Sequence, residues 1–240
     1  MSQLSLPINR YPEKPTAGTS GVVVLSGGQD SVTCLGFALK CYEKVSAISF
    51  DYGQTHKVEL EQAEKIAAKL GVPFEVMKIS AFSQLADSAL VTGGDVNTKH
   101  ARDTELPASF VPNRNAIFMT LAHAYAQKVG AKYVVTGVSQ ADYSGYPDCR
   151  KIFIKKLEQT LNLGYNTSIA FITPLSYLSK AQTFALAEEC GVLDLVVNDS
   201  HTCYNGDRTN LHSWGYGCDN CPACELRKNG YLTFLEQKDK

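Results

Sequence analysis

The sequence has no uninterrupted apolar run near the roughly 18 residues of a membrane-spanning helix, although 44% of its 240 residues are hydrophobic. Its N-terminus also lacks the basic start and apolar stretch of a secretory signal. We therefore expect a cytoplasmic protein with no membrane partner. Residues 1–20, which are polar and contain three prolines, are expected to form a loose lead-in.

The chain also has almost no net charge, because 23 Lys and Arg residues balance 24 Asp and Glu residues to give −1. Proteins that bind nucleic acid normally present a basic face, and this balance offers no sign of one. The composition favours small-molecule chemistry, and we expect no nucleic-acid partner. Internal repeats and low-complexity tracts are absent, so the length suits one large domain or a domain with a small appendage.

Short apolar runs alternate with amphipathic segments along the chain. Strands are predicted at residues 21–25, 45–50, 74–79 and 133–137. Helices are predicted at residues 31–41, 58–70, 113–129, 152–163 and 180–189. Ser179 and Gln182 form a capping box at the start of the last helix. This alternation predicts an α/β fold with a parallel sheet covered by helices on both faces.

Residues 26–31 (S-G-G-Q-D-S) follow the first predicted strand and precede a helix. Glycines let the backbone approach a ligand closely, and the free N–H groups of a helix start favour an anion. Ser26 and Ser31 add hydroxyl donors, while Asp30 would repel phosphate unless a cation lay between them, which makes it a candidate magnesium ligand. The string lacks the lysine of G-x-x-x-x-G-K-[ST] and does not fit G-x-G-x-x-G. The alternative is a glycine turn that only joins a strand to a helix.

Three further segments carry candidate binding residues. The second strand ends in F-D-Y-G-Q, where Asp51 or Tyr52 could contact adenosine or serve only in the turn. Arg114 enters the helix predicted at 113–129 and could hold a carboxylate or phosphate in two hydrogen bonds, or be a surface arginine. The long loop predicted at 80–112, rich in Gly, Asp and Thr, is of the kind that often serves an active site.

The segment 137–150 is a polar, aromatic and glycine-bearing loop after the fourth predicted strand. One of its aspartates could accept hydrogen bonds from a guanine-like N–H pair, and Tyr143 or Tyr146 could stack on the ring. Ordinary turn residues are an equally good interpretation. Cys149 could act as a nucleophile, but no base lies near it in the sequence.

Four of the eight cysteines, Cys203, Cys218, Cys221 and Cys224, fall within a short C-terminal segment. Their C-x-x-C spacing in a large chain without an export signal favours a metal over disulfides. Four thiolates form the closed set of a structural zinc site, with an iron–sulfur cluster as the rival. Since the last forty residues have few apolar positions, we expect this region to melt without its metal. The neighbouring His201 and His212 are expected to be surface or hydrogen-bonding residues.

Taken together, these motifs resemble known enzymes. S-G-G-x-D-S after the first strand resembles the signature of the pyrophosphate-loop (N-type ATP pyrophosphatase) superfamily. With F-D-Y-G-Q, F-V-P-N-R-N, D-Y-S-G-Y-P-D-C-R and T-C-Y-N-G…G-C-x-x-C-P-A-C-x-L-R, residues 21–235 resemble the 7-cyano-7-deazaguanine synthase family. Two features depart mildly from it: Asn113 stands where some members have glycine, and the insert between Cys203 and Cys218 is longer than in some relatives.

The resemblance implies an adenine-nucleotide α-hydrolase-like domain at residues 21–195 and a zinc-binding region at residues 196–240 packed on it. It implies that ATP, as its Mg²⁺ complex, activates the carboxylate of 7-carboxy-7-deazaguanine, that ammonia converts the adenylate to an amide, and that a second activation gives the nitrile. The product would serve queuosine synthesis for tRNA or a related pathway. No glutaminase-like nucleophile is present, which suits free ammonia. A homodimer and one structural Zn²⁺ per chain are also implied.

The same resemblance assigns site residues. The catalytic residues are Asp30, Ser31 and Arg114. The ATP-binding residues are Leu25, Ser26, Gly27, Gly28, Gln29, Asp30, Ser31, Val32, Thr33, Cys34, Leu35, Asp51 and Tyr52. The substrate-binding residues are Arg114, Asn115, Asp142, Tyr143, Tyr146, Asp148 and Arg150. The metal ligands are Cys203, Cys218, Cys221 and Cys224.

Three alternatives remain at this point. A tRNA-thiolating member of the superfamily would need a reactive cysteine and a basic RNA surface. A zinc-containing binding module would have lost catalysis, against which the intact Asp30 argues. A specialised relative would attach the deazapurine to a macromolecule.

Overall fold

The computed structural model describes residues 14–54, 57–80, 110–139 and 146–239. Its strands are β1 (Thr16–Val24), β2 (Tyr42–Asp51), β3 (Phe74–Lys78), β4 (Tyr133–Val135), β5 (Ala170–Ile172), β6 (Leu211–His212) and β7 (Gly215–Tyr216). Its α-helices are α1 (Gln29–Cys41), α2 (Val58–Lys69), α3 (Arg114–Lys128), α4 (Lys151–Tyr165), α5 (Lys180–Glu189), α6 (Leu193–Asn198) and α7 (Pro222–Lys238). A short 3₁₀ helix spans Pro147–Cys149.

Five parallel strands form the main sheet in the order β3-β2-β1-β4-β5. β1 therefore lies at the centre, where the chain turns from building one half of the sheet to building the other. Ligands of open α/β sheets bind outside the carboxyl ends of the strands at such a switch point. The loop that follows β1 is consequently placed where a ligand is expected.

Neighbouring residues of the central strands point to opposite faces of the sheet, and each face has its own core. Val22 and Val134 pack with Met119 and Ala126 of α3 on one face. The other core contains their strand neighbours together with buried residues of α1, α2, α5, α6 and α7, which are Val23, Val135, Leu35, Ile66, Phe184, Val196 and Phe234. The predicted sheet with helices on both faces is thus confirmed, and burial on both faces explains the continuous β-branched runs.

The C-terminal part joins this domain through α7, which packs beside α5. The rings of Tyr231 and Phe234 meet Phe184 at centroid distances of 5.0 and 6.1 Å. Gly230 permits the approach, since a Cβ there would lie 2.3 Å from the Cβ of Lys180. The antiparallel pair β6 and β7 and a separate small cluster around Trp214 complete this part.

All nine predicted elements occur, with ends displaced by a few residues, but several elements were not predicted. β1 begins at Thr16, inside the segment expected to be a lead-in, because its polar first half pairs with the start of β2. α1 begins at Gln29, so the second half of the phosphate-binding motif forms its first turn. The sequence patterns did not reveal β5, α6, the β6–β7 pair or α7.

Asn113, one of the two departures from the family pattern, has φ 58° and ψ 16° at the N-terminus of α3. This left-handed conformation suits glycine, and asparagine adopts it more readily than most other residues. The substitution for glycine is therefore compatible with the same backbone. Across the described residues, no helix combines the length and apolarity needed to cross a membrane.

Candidate active site and metal centre

A cavity of about 560 Å³ opens at the carboxyl ends of the central strands. Leu25 and Ser26 after β1, Tyr52 after β2 and Gly137 after β4 line its sheet side. The rest of its lining comes from the start of α3, the start of α5, the segment around Cys203 and helix α7. The fold therefore brings the phosphate-binding motif and the cysteine segment to one cavity.

The phosphate loop, residues 26–31, holds four successive backbone N–H groups against hydroxyl oxygens. The N–H groups of Ser26 and Gly27 donate to Ser31 Oγ at 3.1 and 3.2 Å, and that of Gly28 donates to Ser26 Oγ at 3.3 Å. The N–H of Gln29 donates to Thr202 Oγ1 at 3.2 Å. Successive N–H groups of this kind at a helix N-terminus form an anion-binding arrangement. The hydroxyl oxygens occupy the positions in which the oxygens of a bound anion would accept hydrogen bonds from these N–H groups.

Gly27 is the glycine that the geometry of this loop requires. Its φ is 90°, and a Cβ on it would lie 2.0 Å from the carbonyl oxygen of Glu59 at the start of α2. Any side chain at this position would push α2 away from the loop. The glycine therefore fixes the loop against α2 as well as allowing its backbone conformation.

Asp30 forms an ion pair with Lys180, which the sequence did not suggest as a site residue. Lys180 Nζ lies 2.7 Å from Oδ2 and 2.9 Å from Oδ1, and the lysine side chain is only 10% exposed. Lys180 is the first residue of α5, and both residues line the cavity. The sequence predicted a cation beside the Asp30 carboxylate, and the ammonium group of Lys180 provides one positive charge there.

Arg114 also lines the cavity, in a group with three tyrosines, which are Tyr52, Tyr146 and Tyr204. Its side chain hydrogen-bonds Tyr52, and the Tyr146 side chain hydrogen-bonds Tyr204. Burial raises the pKa of both Tyr52 and Tyr204, so their hydroxyls stay protonated at neutral pH. A guanidinium beside aromatic rings and neutral hydroxyls can receive a planar ligand that carries a negative group.

Other predicted site residues lie in different surroundings. Asn115 lines the cavity, and its side chain donates to Cys149 Sγ at 3.3 Å. Asp148 is buried outside the cavity lining and accepts a hydrogen bond from the Asn115 backbone at 3.1 Å, whereas Arg150 is exposed. Asp51 pairs with Lys57 at 3.2 Å.

The remaining predicted residues fall into two groups. The first comprises buried residues of α1 that the cavity does not reach, which are Val32, Thr33, Cys34 and Leu35. The second falls outside the described residues and comprises Asp142, Tyr143 and most of the loop predicted at 80–112.

The four C-terminal cysteines converge on one point. Their sulfur atoms all lie within 4.8 Å of one another, and those of Cys218 and Cys224 are 4.0 Å apart. A tetrahedral ion with bonds of about 2.3 Å needs sulfurs about 3.8 Å apart, so the donor set fits such an ion. Hydrogen bonds from Cys203 and Cys224 hold the pKa of Cys221 below its ordinary value, which favours a thiolate there. The cluster could hold a metal ion.

The two histidines beside this cluster behave differently. His212 stacks on Trp214 with 4.4 Å between ring centroids, and its Nε2 lies 3.0 Å from the carbonyl oxygen of Gly217. His201 is fully buried, and this burial lowers the pKa of its ring, against the opposing effect of a hydrogen bond with the backbone of Cys203. The surface position expected for His201 was wrong, because the residue is buried. The alternative expectation of a hydrogen-bonding residue is not contradicted, since its backbone N–H donates to the carbonyl oxygen of Gly27.

Glu59 lies in the first turn of α2 and also lines the cavity. Burial raises its pKa to about 7, while Arg114 acts in the opposite direction. Between pH 4.5 and 7 the folded protein therefore holds a proton that the unfolded chain has lost, and stability falls as the pH rises through this window.

Replacement of Glu59 by glutamine should remove this dependence on pH. We expect Glu59→Gln to be more stable than the unchanged protein at pH 8, by on the order of 2 kcal/mol, and nearly equal to it at pH 4.5. Urea unfolding at both pH values measures the difference. Glu61→Gln, an exposed glutamate on the same helix, is the matched control and should change neither value. Equal stability of Glu59→Gln and the unchanged protein at pH 8 would contradict the prediction.

Comparison with known proteins agrees with this geometry. The profile of the family described as "Queuosine biosynthesis protein QueC" matches residues 20–235. A 7-cyano-7-deazaguanine synthase of Wolinella succinogenes is 58% identical over 220 residues, which are 91% of this chain and 94% of that protein. Synthases of the same name from Helicobacter pylori and Lysinibacillus sphaericus are 52% and 45% identical, over 90% of this chain and 97% and 96% of their own lengths.

Among solved structures, a 4-thiouridine synthetase in complex with RNA and bound ATP is similar with a TM-score of 0.50 and 17% identity. The match covers 94% of this chain and 53% of that one. At this identity the likeness concerns the fold alone, and it agrees with the parallel sheet described above. The family profile and the curated relatives, each covering nine-tenths of the chain, carry the assignment: the chain belongs to the QueC family of queuosine biosynthesis proteins.

Proposed function

We propose that this protein converts 7-carboxy-7-deazaguanine and ammonia to 7-cyano-7-deazaguanine at the expense of ATP. The observation that carries the proposal is the single cavity that combines a phosphate loop with four aligned N–H groups and an arginine among tyrosines. One half suits a nucleotide and the other suits a planar base that bears a carboxylate. The names of relatives at 45–58% identity agree with both halves.

The first step joins the two substrates. A carboxylate oxygen attacks the α-phosphorus of ATP, the bond to the bridging oxygen breaks, and pyrophosphate leaves with the electron pair. The N–H groups of residues 26–28, which donate to the hydroxyls of Ser26 and Ser31 in the structure, would turn to phosphate oxygens when the nucleotide binds. Because the loop already gathers these donors at one place, they would stabilise negative charge as it grows on the phosphates.

Lys180 and Asp30 would act on the same phosphates. Lys180 can donate to the leaving pyrophosphate while it keeps Asp30 from repelling the nucleotide. We propose that the ATP is bound as its Mg²⁺ complex and that Asp30 is the carboxylate beside that ion. Mg²⁺ supplies charge neutralisation on the phosphates when it is bound.

The base and its carboxylate would lie in the other half of the cavity. Arg114 is placed to pair with the carboxylate, and Tyr52, Tyr146 and Tyr204 offer ring faces and hydroxyls for the deazaguanine. Ammonia then attacks the adenylate carbon and releases AMP with the acyl oxygen bond broken, which leaves the amide. The amide oxygen then attacks the α-phosphorus of a second ATP and displaces pyrophosphate. Loss of the two N–H protons and departure of AMP, which carries the oxygen away as the C–O bond breaks, give the nitrile.

The remaining expectations concern the metal of the cysteine cluster, the oligomeric state, the location and the partners of the protein. We propose that Cys203, Cys218, Cys221 and Cys224 hold one Zn²⁺, whose closed thiolate set leaves no position for substrate. The expectations of a homodimer, a cytoplasmic location and no nucleic-acid partner remain predictions. The same holds for binding roles of Asp142 and Tyr143.

The function is tested with purified metal-loaded protein, Mg²⁺, ATP, isotopically labelled ammonium and 7-carboxy-7-deazaguanine. We expect mass spectrometry to detect a labelled amide that appears first and a labelled nitrile that replaces it, with nucleotide consumed at each activation. Reactions without ATP or without ammonium are the controls. ATP consumption that depends on tRNA and is indifferent to the deazaguanine acid would replace the proposal by the tRNA-thiolating alternative.

A further inference from the structure

The segment after α6 holds the phosphate loop at two points. The backbone N–H of His201 donates to the carbonyl oxygen of Gly27 at 2.9 Å, and Thr202 Oγ1 accepts from the backbone N–H of Gln29 at 3.2 Å. Thr202 also lines the cavity. The next residue, Cys203, belongs to the cysteine cluster. The threonine therefore lies between the metal centre and the start of α1.

A second donor reaches the same hydroxyl oxygen. Arg227, three residues after Cys224 on α7, donates from Nη1 to Thr202 Oγ1 at 3.1 Å. It is only 1% exposed and also donates to Ser200 Oγ at 3.1 Å, to the Trp214 carbonyl at 2.8 Å and to the Val196 carbonyl at 2.6 Å. A guanidinium held by hydrogen bonds to four other residues in this way has one orientation. It fixes the position of the hydroxyl that it touches.

These two bonds determine what the Thr202 hydroxyl can still do. A hydroxyl has two acceptor positions and one donor hydrogen. Gln29 and Arg227 occupy the acceptor positions, so only the hydrogen remains, and no acceptor for it is present in the described part of the chain. The free direction of a hydroxyl at the cavity wall beside the phosphate loop is available to an anionic oxygen.

We propose that Thr202 donates its hydroxyl hydrogen to a phosphate oxygen of the bound nucleotide, and that Arg227 is the positioning residue that orients it. The assignment deepens the proposed function, since it rests on ATP as the occupant of the phosphate loop. It also connects the cysteine cluster with the nucleotide, because Thr202 directly precedes Cys203 and Arg227 lies three residues after Cys224. Arg227 itself touches no phosphate in this scheme.

The proposal predicts a specific pattern of MgATP affinity, measured by calorimetric titration of the full-length, metal-loaded protein. Thr202→Val keeps the shape but removes the donor, and we expect it to weaken MgATP binding about tenfold or more, as for a hydrogen bond to a charged group. Thr202→Ser keeps the hydroxyl and should recover most of the affinity. Thr209→Val, the same change at an exposed threonine of the same segment, should bind like the unchanged protein.

The role of Arg227 is tested by combining variants. Arg227→Lys keeps the charge but cannot maintain the same set of bonds, so it should weaken MgATP binding by a smaller factor than Thr202→Val. Because Arg227 acts through Thr202, adding Arg227→Lys to Thr202→Val should cause no further loss. Metal content is measured for every variant and should remain the same.

Unchanged affinity in Thr202→Val, or a loss in Thr202→Ser as large as in Thr202→Val, would overturn the assignment of the hydroxyl. Losses that multiply in the double variant would overturn the positioning role of Arg227. Both outcomes are read from binding alone. If the unchanged protein bound MgATP but formed no nitrile, the proposed reaction would fail while this assignment stood.

Discussion

Replacement of Asp30 by alanine is expected to lower the rate of nitrile formation by at least about 100-fold while leaving metal content and fold unchanged. The magnitude is that of removing one fixed electrostatic group from an active site. Asp30 is the proposed neighbour of the nucleotide-bound Mg²⁺, and it also holds Lys180 at 2.7 Å over the phosphate loop. The substitution therefore removes the Asp30 carboxylate and leaves the Lys180 ammonium group without its ion-pair partner.

The rate is measured by product formation at saturating ATP, and metal content by elemental analysis. Asp194→Ala removes a carboxylate from an exposed position on α6 and serves as the matched control, for which we expect the rate of the unchanged protein. If the Asp30 variant lost its metal, the loop would have a structural role that we have not assigned. A rate within a few-fold of the unchanged protein would exclude Asp30 from the chemistry.

Lys180 separates the two contributions. In the variant Lys180→Met the carboxylate remains without its cation, and we expect weaker binding of MgATP as well as slower turnover, because both pyrophosphate stabilisation and Asp30 orientation are lost. The double variant should be little worse than the Asp30 variant alone if the pair acts as one unit. Full additivity would show that the two side chains act independently.

Much of the fold follows from local pattern. β-Branched runs such as residues 21–25 are too short and too apolar for anything but buried strands between amphipathic helices. The position of residues 26–31 between β1 and α1 was predictable because the strand, the motif and the helix are adjacent in sequence. The cysteine cluster was predictable for the same reason, since metal ligands need particular residue types at short spacing.

The parts that could not be predicted depend on contacts between distant segments. In the sequence Lys180 is an ordinary residue inside the capping box that Ser179 and Gln182 form at the start of α5. It meets Asp30, 150 residues away in sequence, only because the fold brings the start of α5 to the phosphate loop. Thr202 and Arg227 could not be predicted for the same reason. Thr202 lies 173 residues after Gln29, to which it is hydrogen-bonded, and Arg227 reaches Thr202 from helix α7. Helix α7 was not predicted because only a few of its residues, including Phe234, are buried and apolar, so the sequence shows no clear amphipathic pattern there.

Asp148 and Arg150 show the opposite error, in which closeness in sequence suggests a shared role. The 3₁₀ helix Pro147–Cys149 turns Asp148 inward, where it accepts a hydrogen bond from the second residue of α3, and leaves Arg150 exposed. Tyr146, just before this turn, remains at the cavity. The amino-acid composition of a loop does not predict which of its side chains point to the cavity, to the core or to solvent.

Loss of the proposed metal ion is the second change from which a large effect is expected, because the C-terminal cluster has few other buried contacts. Of its five buried core residues, Cys203, Trp214, Cys221, Ala223 and Cys224, three are cysteines of the candidate metal site. A zinc site in small peptides contributes on the order of 10 kcal/mol of folding free energy, comparable to the stability of a whole domain. Without an ion these sulfurs would be partly buried beside one another with only weak mutual hydrogen bonds.

We expect Cys224→Ala to lose the metal and to lose hydrogen-exchange protection over residues 200–220, while β1, β2 and α3 remain protected. The first turns of α7 should open with it, whereas the packing of Phe234 and Tyr231 on Phe184 should retain part of the last turns. Cys190→Ala removes a cysteine outside the cluster and is the matched control, with full metal content expected.

The same variant should also bind MgATP far more weakly, because His201 and Thr202 are fastened to the phosphate loop from inside the segment that melts. Chelation of the metal from the unchanged protein should reproduce both effects, and restoring zinc should reverse them if the site is a zinc site. Protection and MgATP affinity that survive removal of the metal would mean that α7 alone supports the segment. The nucleotide site would then be independent of the cysteine cluster, although the two lie on the wall of one cavity.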